Sequence, residues 1–192
     1  MTKNTLMDIL LRLPYVPQKK VLSYHAALRK QYSQENAEEL CRLIAACDID
    51  AIENLRRNGM DFNYASYNNY YPIGHALLEL DINYDVVEYL LKNGADPNLI
   101  CPTERGNLSK AVIRNSSKCV KLLLKYGADV NYKYNENGFT ALYTAVLLRD
   151  YEMVKVCLAA GANKNISVNG RTPQDLALFL NEIEITNIIR VS

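Results

Sequence analysis

The stretch Asn93-Gly94-Ala95-Asp96-Pro97-Asn98 follows directly on Val86-Val87-Glu88-Tyr89-Leu90-Leu91-Lys92. The apolar residues of the second segment recur with helical spacing, and a glycine just past such a run is a helix stop in the left-handed conformation. The Asp two residues later suits the turn that follows. The phrase returns as NGMDFN at 58–63, YGADVN at 126–131 and AGANKN at 160–165. Its glycines, Gly59, Gly94, Gly127 and Gly161, lie 35, 33 and 34 residues apart. Self-similarity at such a period marks stacked repeats.

Working outward, each phrase is preceded by a short apolar helix pattern: AIENLRR at 51–57, VVEYLLK at 86–92, CVKLLLK at 119–125 and MVKVCLA at 153–159. Upstream sits another: ELCRLIAAC at 39–47, PIGHALLEL at 72–80, LSKAVIRN at 108–115, TALYTAVLLRD at 140–150 and TPQDLALFL at 172–180. The unit is therefore helix, turn, helix, Gly-ended loop. Neither helix is long enough to stand alone, so each buries its apolar stripe against neighbouring units.

This pattern resembles the ankyrin repeat. The family's Thr-Pro-Leu-His-x-Ala opening is matched by Thr140-Ala141-Leu142-Tyr143-Thr144-Ala145 and by Thr172-Pro173-Gln174-Asp175-Leu176-Ala177, and more loosely by Tyr71-Pro72-Ile73-Gly74-His75-Ala76. Its Gly-Ala-Asp-x-Asn ending is complete at 94–98 and 127–131. The resemblance implies an all-α ankyrin-repeat solenoid with units near 37–65, 66–100, 101–133, 134–167 and 168–192. The third unit has Gly106-Asn107-Leu108 where Thr-Pro-Leu is expected, which predicts a less well anchored first turn. Residues 1–36 stand outside the units and read as an amino-terminal helical cap, broken by Pro14 and Pro17. That segment holds six Lys/Arg against two Asp/Glu, whereas the rest holds 16 against 19.

The bulk figures describe an ordinary soluble chain: 192 residues, 49% hydrophobic, 22% charged, net charge +1. No apolar run reaches the ~18 residues of a membrane span. Five cysteines at irregular spacing argue for reduced thiols and a cytoplasmic place, or a host cytosol for a secreted effector. They offer no tetrahedral metal spacing; on the repeat frame Cys119 and Cys157 take apolar core slots, Cys41 and Cys47 sit in the first helix pair and read as core with them, and Cys101 alone belongs to a finger. His25 and His75 lack an orienting partner and a nucleophile, and no Gly-rich phosphate loop is present. The expectation is no enzyme, no cofactor and no metal.

The resemblance implies protein–protein recognition through the finger loops and the concave helix face. The fingers carry Tyr67, Tyr70, Tyr134 and Phe139 at slots that vary because they face solvent, whereas Tyr64 and Tyr71 fall on framework slots. Tyrosine offers rigid contact area at low entropic cost. Slots facing the groove hold Leu78 and Glu79, Ile113 and Arg114, and Leu147 and Leu148. The two leucines form either an apolar binding patch or a cover for the neighbouring helix. Arg171 completes the expected partner-binding set. The expected protein is a monomer acting as inhibitor or adaptor, similar to short ankyrin effectors of intracellular bacteria and poxvirus-type host modulators. Its alternative is a membrane-surface or nucleic-acid binder using the basic helix with Lys19, Lys20, Arg29 and Lys30.

Overall fold

The computed structural model describes residues 35–66, 71–78, 82–100, 106–133 and 138–192. Among them, the chain is a succession of short helices without an extended sheet. They are α1 (35–45), α2 (Ile49–Arg57), α3 (Pro72–Ala76), α4 (Tyr84–Lys92), α5 (Asn107–Ile113), α6 (Ser117–Lys125), α7 (Ala141–Leu147), α8 (Tyr151–Ala159), α9 (Pro173–Phe179) and α10 (Ile183–Val191). Residues 1–34 lie outside the described residues. The 36/37 boundary expected for the extension falls inside α1.

The helices pair as hairpins, and the hairpins stack. Inner helix α7 packs on α5 and on α9, while outer helices α4 and α6, and α8 and α10, pack on each other. One continuous core runs through the stack, with Leu40, Ile52, Leu77, Leu90, Leu123, Leu142, Met153 and Ile185 fully buried. This is the all-α solenoid that the periodicity predicts.

Local chemistry explains the two turns of each unit. Between inner and outer helix the chain makes one left-handed residue, Cys47, Asn115, Arg149 or Asn181, followed at once by the next helix's N-cap. Asp48, Asn83, Ser116 and Asp150 cap α2, α4, α6 and α8 by accepting from backbone amides of the first turn. Thr172 closes a full capping box with Asp175, and donation from the Thr172 hydroxyl, then from its amide, holds the Asp175 carboxyl below its ordinary range. After each outer helix the backbone swings to positive φ at Gly59, Gly94, Gly127 and Gly161, as the repeated phrase requires.

Two expectations need correction here. Cys41, Cys119 and Cys157 are core residues, and burial pushes the thiols of Cys41 and Cys157 up to about 11 and about 12. Cys47 is exposed instead, because the left-handed turn residue points away from the helix pair. The start of α5 is also better anchored than the missing Thr-Pro implied. Gly106 supplies no side-chain cap, but the buried Asn107 amide donates to the carbonyls of Pro97 and Leu99 at 2.8 and 3.1 Å. Gly74 allows this, since a side chain there would sit 3.3 Å from Asn107 Oδ1 and 3.4 Å from Lys110 Nζ.

Asparagine fastens one unit to the next. Asn63 Nδ2 donates to the Gly94 carbonyl at 2.9 Å while its Oδ1 accepts from the Asp96 amide at 2.7 Å. Asn98 repeats both bonds on Gly127 and Asp129, and Asn131 on Gly161 and Asn163. Each aspartate in turn accepts from the asparagine amide two residues on, as Asp96 does from Asn98 at 2.8 Å. Replacing Asn98 with alanine is expected to cost about 1–2 kcal/mol, one net contribution per exposed bond lost. Aspartate at the same place retains the acceptor and should recover part of it. Chemical denaturation of the two variants checks this, and equal losses would refute the acceptor's role.

Candidate functional site

The inner helices present a row of like-placed residues. Counted from their N-caps, Tyr71, Gly106, Thr140 and Thr172, the seventh residue on is Leu78, Ile113, Leu147 and Phe179. All four are apolar. Leu78 is half-buried, Ile113 is 36% exposed, Leu147 48% and Phe179 68%. The preceding slot, by contrast, is fully buried in the first three of these helices, at Leu77, Val112 and Val146. One side of each helix thus feeds the core and the adjoining side faces out. Leu148, one place further, is as exposed as Leu147, so these two leucines do not cover the neighbouring helix.

Cations border the row. Arg114 crosses from the third unit to the second and donates through Nη2 to the Leu78 carbonyl at 2.6 Å. Arg171 lies with its guanidinium 4.6 Å from the centre of the Phe179 ring. It stands at the end of the last finger, which closes through the Val168–Arg171 bridge around Asn169 and Gly170, both at positive φ. Asn-Gly suits such a turn because both central residues must be left-handed. Arg149 is held by Glu182 at 3.2 Å, so it is committed within the protein.

The expected finger aromatics fare differently. Tyr67, Tyr70 and Tyr134 lie outside the described residues. Phe139 does not project as expected: it is half-buried against the core, edge-on to Tyr143 with ring centres 5.4 Å apart. An aromatic at the foot of a finger gains more from packing on the next helix than from solvent. Tyr64 packs on the core as the framework slot predicts. Tyr71 is the N-cap of α3 but makes no side-chain cap bond, so any support it gives is by packing.

The residues gathered in the row are therefore Leu78, Ile113, Arg114, Leu147, Leu148 and Arg171, all named from the sequence, together with Phe179. Phe179 escaped the sequence reading, although its slot in the last Thr-Pro helix was countable. Elsewhere, polar side chains tie outer helices. Tyr89 donates to Glu53, which also binds Arg56 at 2.7 Å and Arg57 at 2.8 Å, and these bonds, Arg56 foremost, hold the Glu53 carboxyl well below its ordinary range. Tyr151 donates to Glu182 at 2.6 Å. Among the described residues no helix is long and apolar enough to cross a membrane. The basic helix of the alternative function, with Lys19, Lys20, Arg29 and Lys30, lies outside them.

Comparison with known proteins agrees with this architecture. The family model described as ankyrin repeats (3 copies) matches residues 16–133, 81–168 and 108–190. The chain is 42% identical over 104 residues to an ankyrin repeat protein of fowlpox virus, covering 52% of this chain and 30% of that one. It is 29% identical over 176 residues to the mitochondrial disaggregase of Bos taurus, covering 88% of this chain and 23% of that one. It is 35% identical over 77 residues to an I-Kappa-B like protein of Microplitis demolitor bracovirus, covering 39% of this chain and 46% of that one. The chain thus spans less than half the length of each of these relatives. Ankyrin repeats generally mediate protein–protein interaction and are typically non-catalytic. With helix pairs, glycine stops and asparagine ties recurring in register, and with family models matching from residue 16 to residue 190, this chain belongs to the ankyrin-repeat family.

Proposed function

We propose that this chain is a non-catalytic recognition module that holds a partner protein along the row Leu78, Ile113, Leu147, Leu148 and Phe179, with Arg114 and Arg171 beside it. The observation that carries the proposal is the repetition of one apolar slot on four consecutive inner helices, half-buried at Leu78 and exposed at Ile113, Leu147 and Phe179. Scattered surface leucines are ordinary, whereas a contiguous apolar row rimmed by cations marks an interaction site. The finger tyrosines Tyr67, Tyr70 and Tyr134 extend that surface in the proposal, through rigid aromatic contacts. The chain then works by occupancy, as a blocking inhibitor or an adaptor. The viral origin of the fowlpox and bracovirus relatives supports a host protein as its target.

The deciding experiment is capture from candidate host lysates on the immobilised chain, with washes of rising salt. A protein held by an apolar row stays through high salt. Retention that falls steeply with salt would instead mark a phosphate-driven contact and would overturn the proposal in favour of a nucleic-acid or membrane-surface role.

A further inference from the structure

Outer helix α6 differs from its counterparts in the sign of its charges. Counted from the N-caps, the second and fifth slots of the outer helices are polar throughout, so polarity there distinguishes nothing. The second slot is Asp50 in α2, Asp85 in α4, Glu152 in α8 and Glu184 in α10, all exposed. An acid at that place complements the positive end of the helix dipole. In α6 the same slot holds Lys118, and the first turn contains no acid. The fifth slot adds Lys121 and the helix ends on Lys125, so α6 carries three exposed lysines and no carboxylate. Residues three and seven apart share one helix face, which spreads the three ammonium groups over about 10 Å.

Among the described residues, no carboxylate makes an ion pair with Lys118, Lys121 or Lys125. The acids of the units on either side are engaged on their own helices, Glu88 by Lys92 at 3.1 Å and Glu152 by Lys155 at 2.9 Å. We propose that α6 holds an acidic helix of a second partner protein, laid antiparallel along the lysine stripe so that the two helix dipoles oppose. Its carboxylates, spaced four and three residues apart, meet Lys125, Lys121 and Lys118 in turn. One exposed ion pair contributes little, but three held in register on two rigid helices act as a network. The flanks set the width of the occupant. Exposed Asp85 and Glu152 stand on the outer helices to either side and would repel a bilayer surface or a broad polyanion, whereas a single helix fits between them. A second copy of the chain is a poor match among the described helices. Nearest come α1, with Glu35 and Glu39, and α2, with Asp50 and Glu53, but Arg42 and Arg57 hold their third positions. The stripe lies on an outer helix, apart from the row on the inner helices, and the proposal does not rest on that row. A chain with both surfaces bridges two proteins, which makes it an adaptor rather than a blocker.

Fluorescence anisotropy of stapled helical peptides with the full chain tests the proposal. The first peptide carries glutamates four and three residues apart on one face, and the second carries the same glutamates spread around the helix. The first is expected to bind about ten-fold or more tightly than the second, and to weaken as salt rises. Lys118→Glu with Lys121→Glu should reduce that affinity about ten-fold or more, whereas Leu147→Asp with Phe179→Asp should leave it unchanged. A lysine version of the first peptide should bind the triple variant that adds Lys125→Glu. Thermal melts confirm that each variant folds. Lys118→Glu alone should melt higher by about 2 °C while binding the first peptide less, because it restores an acid to the helix start. Equal affinity for the two acidic peptides, or an affinity that survives the double reversal, overturns the proposal. So does loss of binding in the Leu147→Asp, Phe179→Asp variant, or tighter binding of phosphatidylserine vesicles or a DNA duplex than of the first peptide.

Discussion

Aspartate at Leu147 and Phe179 together is expected to weaken the captured partner by about 2 kcal/mol or more, the loss typical of apolar anchors at an interface centre. Both side chains are substantially exposed, so the fold gives up little. Exposed substitutions cost within about 0.5 kcal/mol, and an aspartate at 179 stands beside the Arg171 guanidinium, which keeps a partner for its charge. The comparison that matters is with Leu178→Asp, one residue away but facing the end of the stack. That variant should bind the partner as the parent does. Isothermal calorimetry with the captured protein, next to thermal melts, reads both quantities. Normal binding by the double variant sinks the row as the docking surface, and an early melt would show that these residues hold the fold.

Leu142→Ala is expected to be the most damaging single change to the fold itself, at about 3 kcal/mol. Leu142 is fully buried at the start of α7, the inner helix that touches neighbours on both sides. Truncation leaves a void between three hairpins that cannot close without parting them. Leu148→Ala, six residues further along and 48% exposed, serves as the matched control and should shift stability by no more than about 0.5 kcal/mol. Urea denaturation at equilibrium separates the two. Similar midpoints for both variants would mean that the stack collapses around the missing side chain.

The parts of this architecture that depend on neighbours in sequence could be read from sequence. The glycine stops, the Thr172 capping box and the apolar stripes each involve residues within one turn or one hairpin, and their spacing is their signature. Contacts between units are different in kind. The bond from Asn98 to Gly127 joins residues 29 apart, and only the recurrence of an asparagine at 63, 98, 131 and 165 hints that it is more than a turn residue. Phe139 differs for another reason: its partner Tyr143 is only four residues on, but the ring turns edge-on to it at the foot of the finger, where no spacing pattern announces the contact. Cys47 looked like a core thiol because its left-handed turn is set by backbone geometry that a cysteine does not announce. At the candidate site, Arg114, Leu147, Leu148 and Arg171 were legible from slot counting. Phe179 was equally countable but lay in a terminal helix.

The asparagine ties stop one unit short of the end. Asn131 grips the loop of the fourth unit, whereas the Asn165 backbone amide donates to Asn163. The fifth hairpin is joined by its packed helices, by Tyr151 and Arg149 on Glu182, and by Lys164 on the Ile189 carbonyl. Opening it therefore breaks no asparagine tie, whereas opening any inner hairpin breaks at least one. In a linear array, where each unit's stability comes from its nearest neighbours, the α9–α10 hairpin then opens more readily than the asparagine-tied hairpins before it. The apolar row thus has a fixed portion, Leu78 to Leu148, and a detachable one, Phe179. A bound partner that rests on Phe179 draws on the free energy needed to keep that hairpin closed, so its residence time is coupled to the opening of α9 and α10.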